Sequence, residues 1–261
     1  MPNSNNYSIQ GKTILITGAA GLIGSSVAKE ASDLGAKLIL TDFNKDKLEK
    51  ISEELLIKNK EVLSININLS SQNAIELLME RVLAKFNKVD SAIYCQYPKS
   101  KGFGDSFEDF KEFNLYNDLN LQLGMAILFS RRIMMQFETQ GYGDLIHISS
   151  IQGVQSPKFK HYENTTMSSP IEYSAIKSGI ISITKWLAKY HKNKNIRVNC
   201  VSPGGIEDNQ IEKFKKKYRE DCINIGMLSP EDISSAILFL LSPAAKAING
   251  HNLIVDDGWT L

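Results

Sequence analysis

Lys12-Thr13-Ile14-Leu15-Ile16-Thr17-Gly18-Ala19-Ala20-Gly21-Leu22-Ile23-Gly24 decides how the rest of the chain is read. The short apolar, β-branched run predicts a buried strand, the glycines a tight turn, and the amphipathic stretch continuing to Leu34 a helix. Strand, glycine turn and helix in that order can receive a pyrophosphate, because glycine lets the backbone approach it and a helix N-terminus favours its negative charge. Gly18, Gly21, Leu22, Ile23 and Gly24 are therefore candidate cofactor-binding residues. Glycines alone would say little; the flanking strand and helix supply the context.

A second apolar run, 37–41, ends at Asp42, 24 residues after Gly18. A carboxylate there can bond the 2′-hydroxyl of an adenosine ribose and would repel a 2′-phosphate, so NAD is expected rather than NADP. Lys45 and Lys47 follow, but no Lys or Arg stands immediately beside Asp42. The competing reading is a cap for the helix predicted from about 44 to 58. Further strands are predicted at 61–67, 90–94, 143–149, 196–201 and 252–255. Helices are predicted over 71–86, 119–137, the residues after Tyr173, the stretch from Ile211 to Cys222, and 229–241. Such alternation implies an α/β fold: a single-domain, doubly wound, Rossmann-like parallel sheet with helices on both faces, spanning 1–261.

Two of these helices, 119–137 and the one after Tyr173, are apolar around their whole circumference. Outer helices of such a sheet should show water one polar side, so a subunit interface of a homodimer or homotetramer is expected, with core burial as the alternative. Residues 151–172 hold a Gly, two Pro and His161 without periodicity, and follow a strand's carboxyl end; they read as a substrate loop. Lys213, Lys215, Lys216, Lys217 and Arg219 read as a solvated helix face, or else as a cover for a phosphorylated or nucleotide-linked substrate.

Lys and Arg number 30 against 29 Asp and Glu, a formal net charge of +1. No global field invites nucleic acid or an acidic membrane, which leaves a small molecule as the expected partner. Cys95, Cys200 and Cys222 lack any C-x-x-C spacing, so neither a disulfide framework nor a metal site is expected. No signal-like N-terminus or apolar run of roughly 18 residues is present, and a cytoplasmic protein is expected.

Tyr173 and Lys177 lie four residues apart, on one face of a helix. A free tyrosine has a pKa near 10; a neighbouring ammonium and an oxidised nicotinamide would both favour the phenolate. Taken alone the spacing is common by chance.

The motifs together carry more. Thr17-Gly18-x-x-Gly21-x-x-Gly24, Asp42, Asn120-Leu121, Ile148-Ser149-Ser150, Tyr173-x-x-x-Lys177, Arg197-Val198-Asn199, Ser202-Pro203-Gly204 and Val255-Asp256-Asp257-Gly258 follow in order. With them the sequence resembles the short-chain dehydrogenases/reductases across nearly its whole length, and its tail resembles the flagellin modification protein A type oxidoreductases. The resemblance implies Tyr173 as general acid/base, Lys177 as the residue that lowers its pKa and holds the nicotinamide ribose, and Ser150, with Ser149 as alternative, as the hydroxyl that orients the substrate. It implies Asn120 as holder of a relay water, and Asn68, Pro203 and Gly204 as cofactor contacts. It also implies NAD(H)-dependent interconversion of a secondary alcohol and a ketone on a sugar or nucleotide sugar, in surface-glycan or flagellin modification.

Three departures stand out. Leu22 replaces a common Gly, Asn68 replaces an Asp, and Tyr94-Cys95-Gln96-Tyr97 replaces Asn-Asn-Ala-Gly, where larger side chains are expected to crowd the cofactor ribose. That last change motivates a rival reading as a non-catalytic binding or regulatory subunit. A 3-ketoacyl or steroid-type reductase is the other rival, although Lys158, Lys160 and His161 make the loop more polar than such substrates call for.

Overall fold

A computed structural model describes residues 4–59 and 61–261. Its strands are β1 (Thr13–Thr17), β2 (Lys37–Asp42), β3 (Val62–Asn66), β4 (Ser91–Tyr94), β5 (Gly143–Ile148), β6 (Ile196–Pro203) and β7 (Asn252–Val255). They form one parallel sheet in the order β3-β2-β1-β4-β5-β6-β7. The order reverses at β1, whose last residue, Thr17, pairs with Thr41 on one side and Tyr94 on the other. A cleft opens beyond the carboxyl ends at such a switch point.

Side-chain alternation sorts the two faces. Ile14 and Ile16 of β1 and Leu38 and Leu40 of β2 pack with α1 (Leu22–Asp33), α2 (Lys45–Leu56) and α8 (Pro230–Leu241). Leu15 and Ile39 point the other way, into a core shared with α3 (Gln72–Phe86) and α5 (Met125–Gln140). Some of the polar residues inside are paired. His147 of β5, fully buried, meets Ser130 at 2.8 Å and Thr184 at 2.8 Å, and burial alone lowers its pKa to about 3.

The strands appear within a residue or two of where they are expected. The helix expected at 119–137 is instead α4 (Glu112–Asp118), a π-helical segment (Leu119–Gly124) and α5. Phe113 and Tyr116 of α4 face outward, so the first turns bury no apolar stripe from which a helix could be read. The expected helix from Ile211 is shorter, α7 (Glu212–Arg219). The outer faces of α5 and α6 (Ile171–Tyr190) expose Ile127, Met135, Trp186 and Tyr190, while Phe129, Ile133, Ile176 and Ile180 are buried.

Candidate active site

A cleft of about 740 Å³ runs along the carboxyl ends of the strands. At one end lies the turn between β1 and α1. Gly18 takes φ +64°, and a Cβ there would stand 2.8 Å from the Gln96 Cα. A Cβ on Gly24 would stand 2.2 Å from the Gly18 carbonyl oxygen, so only glycine closes this turn. Gly18, Gly21, Leu22, Ile23, Gly24, Asp42, Asn68, Pro203 and Gly204, all expected at the cofactor, line the cleft. Asp42 accepts from the backbone N–H of Ala20 at 3.1 Å and of Asn44 at 2.9 Å, which fixes its carboxylate at the cleft wall. The cap of α2 is Asn44, which accepts from Lys47 N–H at 3.1 Å. This half fits a dinucleotide: the glycines let the backbone turn tightly at the start of α1 on the cleft wall, and a fixed acceptor, Asp42, stands beside them where a ribose diol would lie.

At the other end α6 presents Tyr173 and Lys177. Burial pushes the Tyr173 phenol above its ordinary pKa, the nearby Ser150 hydroxyl pulls it back, and the neighbouring Tyr162 adds to the rise. The expected lowering by Lys177 does not set the direction; burial does. Lys177 is itself buried, and burial lowers its pKa to about 8. Its ammonium donates to the Ile148 carbonyl at 3.1 Å and lies 5.5 Å from the Tyr173 ring centre. The two serines part company here. Ser149 donates to the Lys177 carbonyl at 2.7 Å and ties β5 to α6, while Ser150 meets the Tyr173 phenol. Ser150, Tyr173 and Lys177 thus come together.

Asn120 does not join them: its side chain is exposed on the π-helical segment and lies outside the cleft lining. A π-helical turn advances the chain differently from an α-helix, so motif spacing misjudges which residue turns inward. Gln122 is the inward one, 3% exposed, and neither amide atom has a protein hydrogen-bond partner. Leu119 and Leu123 of the same segment pack on Ile176 and Ile180 of α6.

The unusual stretch after β4 divides likewise. Tyr94 turns into the core against Phe129, with ring centres 5.2 Å apart, and its hydroxyl accepts from the Gln96 amide at 2.6 Å. Crowding by Tyr94 is thus relieved, since a strand's alternate residues face opposite ways. Tyr97 is the one that enters the cleft: its ring centre lies 5.6 Å from that of Tyr173 and 5.2 Å from the Lys177 ammonium. Burial holds the Cys95 thiol up at about 12, so it stays protonated.

Residues 151–172 are not a loose loop. The 3-10 turn Ile151–Gly153 packs on α6, and the turn Phe159–His161 packs on α7. Asp221 gathers His161 at 2.5 Å, Lys160 at 2.9 Å and Lys158 at 3.5 Å, and Lys158 also lies 4.5 Å above the Trp259 ring. Behind them Ile151, Tyr162, Phe214, Tyr218 and Trp259 form a separate apolar cluster. The basic run on α7 is largely engaged: Lys215 pairs with Glu207, Lys217 with Glu163, and Arg219 donates to the carbonyls of Asn224 and Ile225. Several motif residues brace the frame. Arg197 pairs with Asp144 at 2.7 Å, Asn199 ties β6 to Ile248 and His251, and Asp256 accepts from Gly258 and Thr260.

Known proteins share this arrangement. A family model described as enoyl-(acyl carrier protein) reductase matches residues 18–260. Post-translational flagellin modification protein A of Campylobacter coli is 40% identical over 97% of this chain and 100% of its own length. The 3-oxoacyl-[acyl-carrier-protein] reductase FabG of Rickettsia typhi is 30% identical over 95% of this chain and 96% of its own. A short-chain dehydrogenase from Leptospira borgpetersenii serovar Hardjo-bovis, solved with bound NAD+, superposes with a TM-score of 0.88 at 27% identity, covering 100% of this chain and 97% of that one. With these matches over a cleft that joins a glycine turn to a Ser, Tyr and Lys cluster, the chain belongs to the short-chain dehydrogenase/reductase family of oxidoreductases.

Proposed function

We propose that the protein is an NAD(H)-dependent enzyme that interconverts a secondary alcohol and a ketone on a sugar or nucleotide-sugar-like substrate, within the cytoplasm, as a step in surface-glycan or flagellin modification. The observation that carries this reading is the convergence of Ser150, Tyr173 and Lys177 at one end of a cleft whose other end holds the glycine turn and Asp42. Asp42 favours NAD over NADP, because its fixed carboxylate would face a 2′-phosphate across the cleft.

The dinucleotide, when bound, gives or takes the hydride. The chain's own residues manage the proton and the pose. Ser150 donates a hydrogen bond to the substrate oxygen and holds it beside the Tyr173 hydroxyl. That hydroxyl gives its proton to the developing alkoxide in reduction and takes it back in oxidation. A phenol held above its ordinary pKa gives up its proton reluctantly, so the Lys177 ammonium, two of whose hydrogens are free of the Ile148 carbonyl, has to stabilise the phenolate as it forms.

The flagellin-modification relative and the polar insertion, with Lys158, Lys160 and His161, favour a sugar. The second reading, a 3-ketoacyl reductase, draws on the FabG relative at lower identity. The exposed Trp186 and Tyr190 on α6 and Ile127 and Met135 on α5 support assembly as a homodimer or homotetramer. The test is Tyr173→Phe in a screen of nucleotide sugars, amino sugars and 3-ketoacyl thioesters: hydride transfer should be abolished while dinucleotide binding is spared. Unchanged turnover would refute the role, and failure to bind any dinucleotide at millimolar concentration would leave the regulatory-subunit reading standing.

A further inference from the structure

We propose that Tyr97, Phe103 and Lys99 form a substrate subsite beside the catalytic pair, one that receives the flat face of a saccharide ring together with an anionic group on that saccharide. The inference rests on the oxidoreductase reading above and adds the chemistry of the substrate.

Three observations meet here. The Tyr97 ring lies in the cleft against Tyr173 at 5.6 Å, with Phe103 set edge-on behind it at 5.6 Å and 89°. Tyr97 is 38% exposed and lines the cleft, so part of its side chain is accessible beside Tyr173, between the ammonium groups of Lys99 and Lys177. Lys99 lines the same cleft, with its ammonium 4.6 Å from the Tyr97 ring centre and 5.6 Å from that of Phe103.

The contrast with other lysines around the cleft gives the charge its meaning. Lys158 and Lys160 are taken up by Asp221, Lys215 by Glu207 and Lys217 by Glu163. Lys99 makes no ion pair among the described residues. An ammonium resting on two aromatic faces is held in place yet keeps its hydrogens for an incoming acceptor. The aromatic faces carry negative charge density and suit the weakly positive C–H groups of a pyranose face. A saccharide alone would use the rings and leave Lys99 idle; an acyl chain beyond the reacting ketone would leave the cation idle as well. An anionic saccharide uses all of them. Its charge can be a carboxylate on the sugar or the diphosphate of a nucleotide sugar, and both meet Lys99 with anionic oxygen.

The test is calorimetric titration of the full chain in saturating NAD, with glucuronate against glucose and UDP-N-acetylglucosamine against N-acetylglucosamine. One anionic member should bind at least about tenfold more tightly than its neutral partner, and which pair shows the gap identifies the anion. Lys99→Met should erase that gap and leave the neutral partner's affinity unchanged, Lys99→Arg should keep it, and Tyr97→Ala should weaken both members. Equal affinity within both pairs, or a Lys99→Met loss shared by the neutral partner, overturns the subsite while NAD binding in the same cell leaves the oxidoreductase reading intact. Absence of NAD binding overturns both.

Discussion

Removing the charge of Lys177 should leave the protein at least as stable at neutral pH, and inactive. The side chain is 6% exposed, and burial lowers its pKa from 10.5 to about 8. At about 1.4 kcal/mol per pH unit, carrying the ammonium into that site costs the folded state about 3 kcal/mol at neutral pH. Lys177→Met keeps a chain of similar length and removes that cost, at the expense of one hydrogen bond to the Ile148 carbonyl, worth about 1.5–3 kcal/mol for a charged donor. The net effect at pH 7 ranges from neutral to a gain of about 1.5 kcal/mol. The pH dependence is the sharper signature. Between pH 8 and 10.5 the unfolded lysine is still protonated while the folded one is neutral, so in this window the unfolded state binds more protons and wild-type stability rises with pH. The variant lacks that contribution. Urea unfolding of both proteins from pH 7 to 10 should therefore show the variant's relative stability falling by about 2–3 kcal/mol, with turnover lost throughout. A stability difference that stays constant across this range would refute the burial argument, whatever its sign at pH 7.

Three other outcomes follow from the same physics. Gly24→Ala places a methyl carbon 2.2 Å from the Gly18 carbonyl; it should lower stability by several kcal/mol and abolish dinucleotide binding, and wild-type affinity in a folded variant would contradict the turn geometry. His147 has its pKa lowered to about 3, so its contribution is complete above about pH 6.5 and is lost as pH falls towards 3; from pH 7 to pH 5 wild-type stability should drop by about 2 kcal/mol more than that of His147→Leu, in which Ser130 and Thr184 keep the carbonyls of Ala126 and Ile180, and parallel slopes would count against it. Asp221→Asn removes the common partner of Lys158, Lys160 and His161 and should raise amide exchange across 158–165 by tenfold or more, with exchange across α8 unaltered; unaltered exchange in 158–165 would mean that the apolar cluster alone seats the insertion.

The run from Lys12 to Gly24 determined a good deal by itself. A buried strand, a glycine turn and an amphipathic helix are local patterns, and repeating them with short connections leaves few ways to bury the apolar faces other than a doubly wound parallel sheet. Tyr173 and Lys177 were legible for the same reason, since four residues apart in a helix means one face. What tertiary structure alone decided is where local period breaks or distant segments meet. A π-helical turn hides Asn120 from the cleft and turns Gln122 inward, a shift that spacing cannot carry. Ser149 and Ser150 are neighbours with opposite duties because only the packing of α6 says which hydroxyl meets the phenol. The insertion looked irregular because its order comes from Asp221 and Trp259, remote in sequence, rather than from any period of its own. After β4, the strand's last residue, Tyr94, turns into the core, and the irregular segment that follows brings Tyr97 onto Tyr173 and Lys177, a placement no local period foretells.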